Sequence, residues 1–241
     1  MVRMRRQHYK PYLAQHGIVS RPAPVTSGIV ARYERFSHSG TTWFDVTPAP
    51  ADGTLSGDGS WWPNFVTGDS NYVAVGNPAK LDFSGAFTIS LWGEQNPDPP
   101  VQGGEYLIGK DGLQTGRDVG VSMLDNNALI SGFLFSPGAK FVQYAPPVKG
   151  NMHHIVFVNE GAGNDLHLYV DGELRATNAG NGASVAWHAT TPWEFGRRQN
   201  DAAGTPDDYL TGQMDTVRFY SRALSADEIL NDYNAGKPEH P

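Results

Sequence analysis

The chain has 241 residues, 28 of them glycine and 17 proline, no cysteine, and a formal net charge of −7. That length suits one large β-sandwich, and the lack of cysteine excludes disulfides, thiolate metal sites and thiol nucleophiles. The glycine and proline content fits many short strands joined by tight turns and argues against a helical bundle.

The charge is unevenly divided. Residues 1–40 hold seven basic side chains against Glu34 alone, whereas the remainder holds 11 basic and 24 acidic residues. Residues 1–27 show no sustained period, contain Pro11, Pro22 and Pro24, and read as an extended basic arm ahead of a globular domain at 28–241. Arg3, Arg5, Arg6, Lys10 and Arg21 are the arm's candidate partner-binding residues. They dock either on other subunits of an assembly or on the acidic body of their own subunit. The basic start is like the first part of a signal peptide, but no apolar segment follows it. Pro11 breaks the amphipathic helix that a transit peptide needs. No secretion signal is expected, and no apolar run is long enough to span a membrane. Nucleic acid is disfavoured as a partner, because basic residues are few and no stacking motif accompanies them.

Strands are predicted where apolar residues alternate. Phe87–Trp92 (FTISLW) places Phe87, Ile89 and Leu91 on one face. Tyr106–Gly109 and Ala128–Phe135 are further strands, followed by the β-rich run His153–Val158. His153 and His154 are adjacent, so in a strand their rings point to opposite faces and cannot share one metal. Asp165–Val170 puts Leu166, Leu168 and Val170 on one face and Asp165, His167 and Tyr169 on the other. Asp171-Gly172 then predicts a two-residue hairpin turn, with Glu173–Thr177 as the returning strand. Met214–Tyr220 is the last strand. One helix follows, with Ser225 and Glu228 as a capping box, Leu224 stapled to Ile229, and Gly236 as its stop. Strands at this spacing without intervening helices predict an all-β sandwich of antiparallel sheets.

Four segments in order carry a family resemblance: Leu81–Trp92, Met152–Leu174, Trp193–Arg198 and Leu210–Ile229. Together they resemble the laminin-G-like jelly roll of the concanavalin A-like lectin/glucanase superfamily, from about Val30 to Tyr233. The stretch Gly40–Leu55 is similar to a segment that opens many such domains. Pro48, Ala49 and Pro50 stand there where the family has Ser, Gly and Asn. The resemblance implies a two-sheet jelly roll, to which the residues themselves add the extended N-terminal arm and the short C-terminal helix. It admits glycan binding, and it admits glycoside hydrolysis.

Hydrolysis of that kind needs two carboxylates on one face of a strand. The sequence shows none: Asp165 and Asp171 lie at the ends of their strand, and Glu94 stands alone. A non-catalytic domain is therefore expected. Asp215 is placed on the face of Val217 and Phe219, so its carboxylate needs a cation, backbone N–H donors or an arginine. By resemblance it is the candidate for a structural calcium ion, with Asp207 and Asp208 in the acidic loop as weaker candidates. Trp61 with Trp62, and Trp187 with His188, are candidate sugar platforms, against the alternative that these rings fill core. The leading expectation is a structural or adhesive subunit present in several copies in an assembly and anchored by its arm. The resemblance extends to domains of phage head-decoration, fibre and tail proteins, which makes a virion surface, and a capsid or tail as partner, the expected setting. A carbohydrate-binding lectin module is the alternative.

Overall fold

The computed structural model describes residues 22–39, 41–56, 64–65, 71–95, 104–112, 116–124, 129–135, 138–145, 150–198 and 208–237. Within them lie fifteen strands and one α-helix. The strands are β1 (Ile29–Ser39), β2 (Thr42–Asp45), β3 (Gly53–Ser56), β4 (Asn64–Phe65), β5 (Tyr72–Gly76), β6 (Phe87–Gln95), β7 (Gly104–Gly112) and β8 (Gly116–Leu124). They continue as β9 (Leu129–Leu134), β10 (Lys140–Tyr144), β11 (His153–Asn159), β12 (Leu166–Val170), β13 (Glu173–Asn178), β14 (Trp193–Phe195) and β15 (Gly212–Tyr220). The helix α1 spans Ala226–Gly236.

All pairings are antiparallel and form one path, β10-β9-β8-β7-β14-β5-β3-β2-β1-β15-β6-β11-β12-β13, with β4 beside β15. The path folds over between β2 and β1. The first half of β1 pairs with β15 and the second half with β2, with an irregular register between Tyr33 and His38. Two layers result, β10 to β2 facing β1 to β13, which is the expected two-sheet antiparallel sandwich. At the far edge β10 meets the other layer through side chains: Asn178 Nδ2 donates to Phe141 O at 2.9 Å, and the Arg175 guanidinium lies 5.3 Å from the Tyr144 ring centre.

Strand alternation builds the core between the layers. Phe87, Ile89 and Leu91 of β6, and Leu166, Leu168 and Val170 of β12, point inward as predicted. They meet Val119 and Val121 of β8 and Trp193 and Phe195 of β14. The layers approach closely. Gly132 of β9 has no side chain because a Cβ there would lie 2.4 Å from the Phe157 ring of β11. Each large apolar side chain buried here contributes roughly 2 kcal/mol.

The outer face of the second layer is closed by α1. Ser225 and Glu228 form the predicted capping box, and Leu224 and Ile229 pack with Val156, Val158, Tyr169 and Tyr220. Gly236 belongs to the last helical turn. It is glycine for a different reason than a left-handed stop: a Cβ would lie 2.7 Å from Trp92 Nε1. The predicted hairpin at Asp171-Gly172 is present, both residues having positive φ (55° and 78°). Strands β1 to β5, β8 and β10 are added by the structure to those the sequence predicts, and β14 lies in the family segment Trp193–Arg198.

Residues 23–27, expected in the arm, are bonded to the body. Asn231 Nδ2 donates to Ala23 O at 2.7 Å, Val25 N–H to Asp232 Oδ1 at 2.8 Å, and Arg222 Nε to Ser27 O at 3.0 Å. The Val25 side chain packs beside Tyr220 and Ile229.

The opening corner after β2 is organised by Asp45, which is buried. Its Oδ1 accepts from the N–H groups of Arg32 and Thr47, both at 3.0 Å, and its Oδ2 from Ala51 N–H at 3.0 Å. Lys80, from the 3-10 turn Ala79–Leu81, ion-pairs with Asp45 and donates to Thr47 Oγ1 and Ala49 O. Burial alone would raise the Asp45 carboxyl, but the Lys80 ammonium and the backbone donors outweigh it and hold the carboxyl below its ordinary range.

A carboxyl with a depressed folded pKa contributes stability that is present above its unfolded pKa of about 3.9 and is lost as pH falls through the folded value. Urea-unfolding midpoints measured from pH 7 to pH 3 should therefore fall on the acid side in the native chain, and fall less in Asp45→Asn. Lys80→Met leaves a buried carboxylate unpaired and should cost about 3 kcal/mol at pH 7. A chain beginning after residue 27 should be less stable than one beginning after residue 21 by about 2 kcal/mol, because the bonds to Ala23 and Val25 are lost. Equal midpoints would show that those bonds contribute nothing.

Candidate ligand-binding face

The outer face of the first layer has no helix over it among the described residues, and its rows can be read from register. One row runs Gln143–Ser131–Ser122–Tyr106 across β10, β9, β8 and β7. The next runs Phe141–Phe133–Gly120–Gly109–Glu194–Ala74 across β10, β9, β8, β7, β14 and β5. The second row has a floor without side chains in its middle. A Cβ on Gly120 would lie 2.3 Å from Phe133 Cζ, and one on Gly109 3.4 Å from Tyr106 Cδ1. The two rings thus lie over the glycines.

At one end stand Phe133, Phe135 and Phe141, their ring centres 5.2 to 6.4 Å apart, with the Tyr106 ring 5.5 Å from Phe133. Phe133 and Tyr106 are buried, whereas Phe141 is 42% exposed and Gln143 on the same strand face is also exposed. At the other end Glu194 receives two bonds from Arg197, Nε to Oε2 at 2.7 Å and Nη2 to Oε1 at 2.6 Å. The Arg197 guanidinium lies 3.2 Å from the Tyr72 ring centre. Burial would lower the pKa of this guanidinium; the Glu194 carboxylate outweighs that and raises it. Between the two ends, Arg198 pairs with Asp208 at 2.7 Å, and Tyr106 Oη donates to Asp111 Oδ2 at 2.8 Å.

Local sequence explains the placement. In Trp193-Glu194-Phe195 the two rings enter the core, which turns Glu194 outward. Gly196 follows with φ 83° and redirects the chain, so that Arg197 and Arg198 return over the same face. In the sequence, Trp193–Arg198 is legible only as a family segment, and Tyr72, Tyr106, Arg197 and Arg198 do not stand out as site residues. The available signal was the pair of arginines directly after a glycine that ends an alternating strand.

The candidates named from sequence are placed elsewhere. Trp187 is half-buried at an end of the core. Its Nε1 donates to Phe83 O at 2.8 Å and its ring meets Phe83, Phe87 and Trp193, while the Lys110 ammonium lies 5.4 Å from its centre. His188 is 42% exposed at its side chain, with Nδ1 2.5 Å from Oδ1 of the buried Asp118 and its backbone N–H bonded to Asp118 Oδ2. The two residues are adjacent, but only the imidazole faces outward, so they do not present a ring pair.

Asp215 departs from the expected face. The register of β15 against β6 passes from Asp215↔Trp92 to Val217↔Leu91, so Thr216, with φ 21°, is an inserted bulge residue. Asp215 therefore lies on the Trp92 side, away from Val217 and Phe219, and its Oδ1 accepts from Thr216 N–H at 2.6 Å. Asp208 is engaged by Arg198. Trp61, Trp62, Asp207 and the arm residues Arg3, Arg5, Arg6, Lys10 and Arg21 lie outside the described residues.

Comparison with known proteins agrees with this architecture. Among solved structures, the binding domain of botulinum neurotoxin serotype C1 superposes with a TM-score of 0.61 at 12% identity, covering 86% of this chain and 52% of that one. A botulinum neurotoxin type C structure, whose cell entry depends on interaction with two ganglioside molecules, gives 0.61 at 14%, covering 86% and 51%. A Trypanosoma rangeli sialidase in complex with 2,3-difluorosialic acid gives 0.61 at 21%, covering 88% and 34%. The chain thus spans about half the length of the toxin domains and a third of the sialidase, and at these identities the likeness concerns the fold alone. No curated protein matches the chain. The family described as the concanavalin A-like lectin/glucanases superfamily, in its laminin G form, matches residues 67–230, more than half of the chain. With its two antiparallel layers and closing helix, the chain belongs to that superfamily as a laminin-G-like domain.

Proposed function

We propose that this domain is a non-catalytic adhesive module that takes a carbohydrate on the outer face of its first layer. The observation that carries the reading is the β10 edge of this face, where Phe141 and Gln143 are exposed beside the buried rings that cover the glycines. An exposed Phe141 ring offers a stacking surface, Gln143 beside it offers an amide donor and acceptor, and the Arg198–Asp208 pair supplies polar groups further along. The toxin binding domain seen in complex with SialylT, and the type C toxin that interacts with gangliosides, share this fold and support a glycan as the ligand class.

The arrangement of carboxylates supports binding over cleavage. A retaining hydrolase needs one carboxylate free to attack and a second poised as acid about 5 Å away. Glu194 on this face is tied up by two bonds to Arg197. Glu94, whose carboxyl is raised by burial against an opposing effect of His153, stands in β6 of the other layer.

A second reading adds an assembly, and one geometric fact favours it. The chain enters the domain along the Ala23–Val25 segment, which is bonded to α1 on the outer face of the second layer. The described residues thus begin on the side opposite the candidate ligand face, and Arg3, Arg5, Arg6, Lys10 and Arg21, which precede them in sequence, are the anchor residues this reading assigns. Anchoring by the arm would display the other face outward, as an adhesive subunit of a capsid or tail requires.

Both readings are open to direct measurement. In a glycan-binding screen of neutral and sialylated oligosaccharides, the native chain should bind at least one class. Phe141→Ala and Gln143→Ala should weaken that binding about tenfold, near the ~1.4 kcal/mol of one good contact, while circular dichroism stays native. No bound glycan, or variants that bind like the native chain, would sink the proposal. For the assembly, density-gradient fractionation of the native source with mass spectrometry should recover the chain with intact particles. Recovery only as free protein would remove the virion reading and leave the glycan reading standing.

A further inference from the structure

The loop joining β11 to β12, residues 160–165, is shaped by its own bonds. Gly161 and Gly163 have φ 91° and 78°, and Glu160 N–H donates to Asp165 O at 3.1 Å. Beneath it the buried Asn159 side chain accepts from Gly161 N–H and Ala183 N–H, both at 3.1 Å, and donates to Ala183 O at 2.7 Å. The neighbouring turn is packed so closely that a Cβ on Gly182 would lie 2.4 Å from Gly161 O. The backbone therefore needs nothing further to hold it.

The side chains on its outer surface are not explained by that packing. Asp165, just before β12, and His167 on it are two residues apart, and Glu160 follows the end of β11. One imidazole nitrogen and one oxygen from each carboxylate lie within 4.8 Å of one another. His167 Nδ1 is 3.0 Å from Thr177 Oγ1 of β13, which fixes the ring and leaves Nε2 3.4 Å from Glu160 Oε1. Asp165 Oδ1 accepts from Gly180 N–H at 2.9 Å. His167 is 15% and Glu160 42% exposed at the side chain, so the convergence point is open to solvent.

This is how imidazole and carboxylate ligands are usually presented to a metal: one ring nitrogen is held by a neighbour, the other is aimed, and the carboxylate is oriented by a hydrogen bond. The 3.4 Å separation of Nε2 and Oε1 matches the edge, about 3.4 Å, of a tetrahedron with ligands about 2.1 Å from its centre. One nitrogen with two carboxylate oxygens suits a borderline ion, whereas calcium takes about six to eight oxygens. We propose that Glu160, Asp165 and His167 form a binding site for a divalent transition-metal ion of the zinc type, completed by water, with Thr177 and Gly180 positioning two of the ligands. A bound ion would link the 160–165 loop to β12, and through Thr177 to β13. The site belongs to the second layer and is independent of the glycan reading.

The test uses the full chain without an affinity tag, freed of metal with a chelator and titrated with zinc chloride by isothermal calorimetry. His167→Gln and Glu160→Gln are run beside it, with circular dichroism as the check on folding. One equivalent of zinc should bind the native chain, each variant should bind at least tenfold more weakly, and zinc should raise the thermal midpoint of the native chain but not of His167→Gln. If His167→Gln does not fold, the exposed Glu160→Gln decides alone. No zinc uptake by the native chain would overturn the proposal. Uptake unchanged in both variants, which would put the ion at other histidines, or calcium binding as tight as zinc, would equally overturn it.

Discussion

The sandwich depends on an aromatic contact across its two layers. Trp193 and Phe195 of β14 reach inward and meet Phe219 of β15, with ring centres 5.0 and 6.2 Å apart. The chain of rings continues from Phe195 to Tyr33 and Trp43 at one end, and from Trp193 through Trp187 to Phe83 and Phe87 at the other. Rings of this size bury the largest apolar areas in the core and accept few relative orientations, so they fix the spacing and the rotation of the layers together. Because β14 is only three residues long, turning two of its side chains inward dictates where the third, Glu194, must go. The placement of the arginine pair beside it follows from that.

Much of this was legible in the sequence, and the parts that were not share a cause. Alternation identified β6 and β12, whose core-facing positions are apolar at every second residue, whereas β11 was legible as a run of β-formers because both of its faces are buried. The hairpin at Asp171 and the cap at Ser225 were legible because their chemistry is local. The bulge at Thr216 was not: a single inserted residue reverses every side chain before it, and nothing in Met214–Tyr220 marks the insertion. That one residue moved Asp215 from the expected core face to the opposite one. The candidate face was equally hidden, because its rows are assembled from β10, β9, β8, β7, β14 and β5, strands up to about a hundred and twenty residues apart, and only register brings Phe141, Gly120 and Glu194 into line.

The two outer faces divide the work. On the second layer, apolar Val156, Val158 and Tyr220 are covered by α1 and by the incoming Val25, and the charges beneath are paired, Arg218 with Asp232 and Glu34. On the first layer the outward side chains are hydroxyls, amides, aromatic rings and paired ions, most of them buried, with Phe141 and Gln143 exposed at the β10 edge. The two outer surfaces of the sandwich therefore differ, one covered by the chain's own helix and incoming segment and the other without a helix over it among the described residues.

The corner around Asp45 has a consequence for the conditions the domain can withstand. Its cation is an ammonium on a side chain, held by an ion pair to the carboxylate and bonded to Thr47 and Ala49. A tethered cation has no dissociation constant to satisfy: dilution does not empty the corner, and chelators have nothing to remove. The opening loop is thereby uncoupled from the divalent-ion content of its surroundings. The cation at this corner is covalently part of the chain, so holding the first turn depends on the protonation of Asp45 and on the ion pair itself and not on the concentration of a free ion.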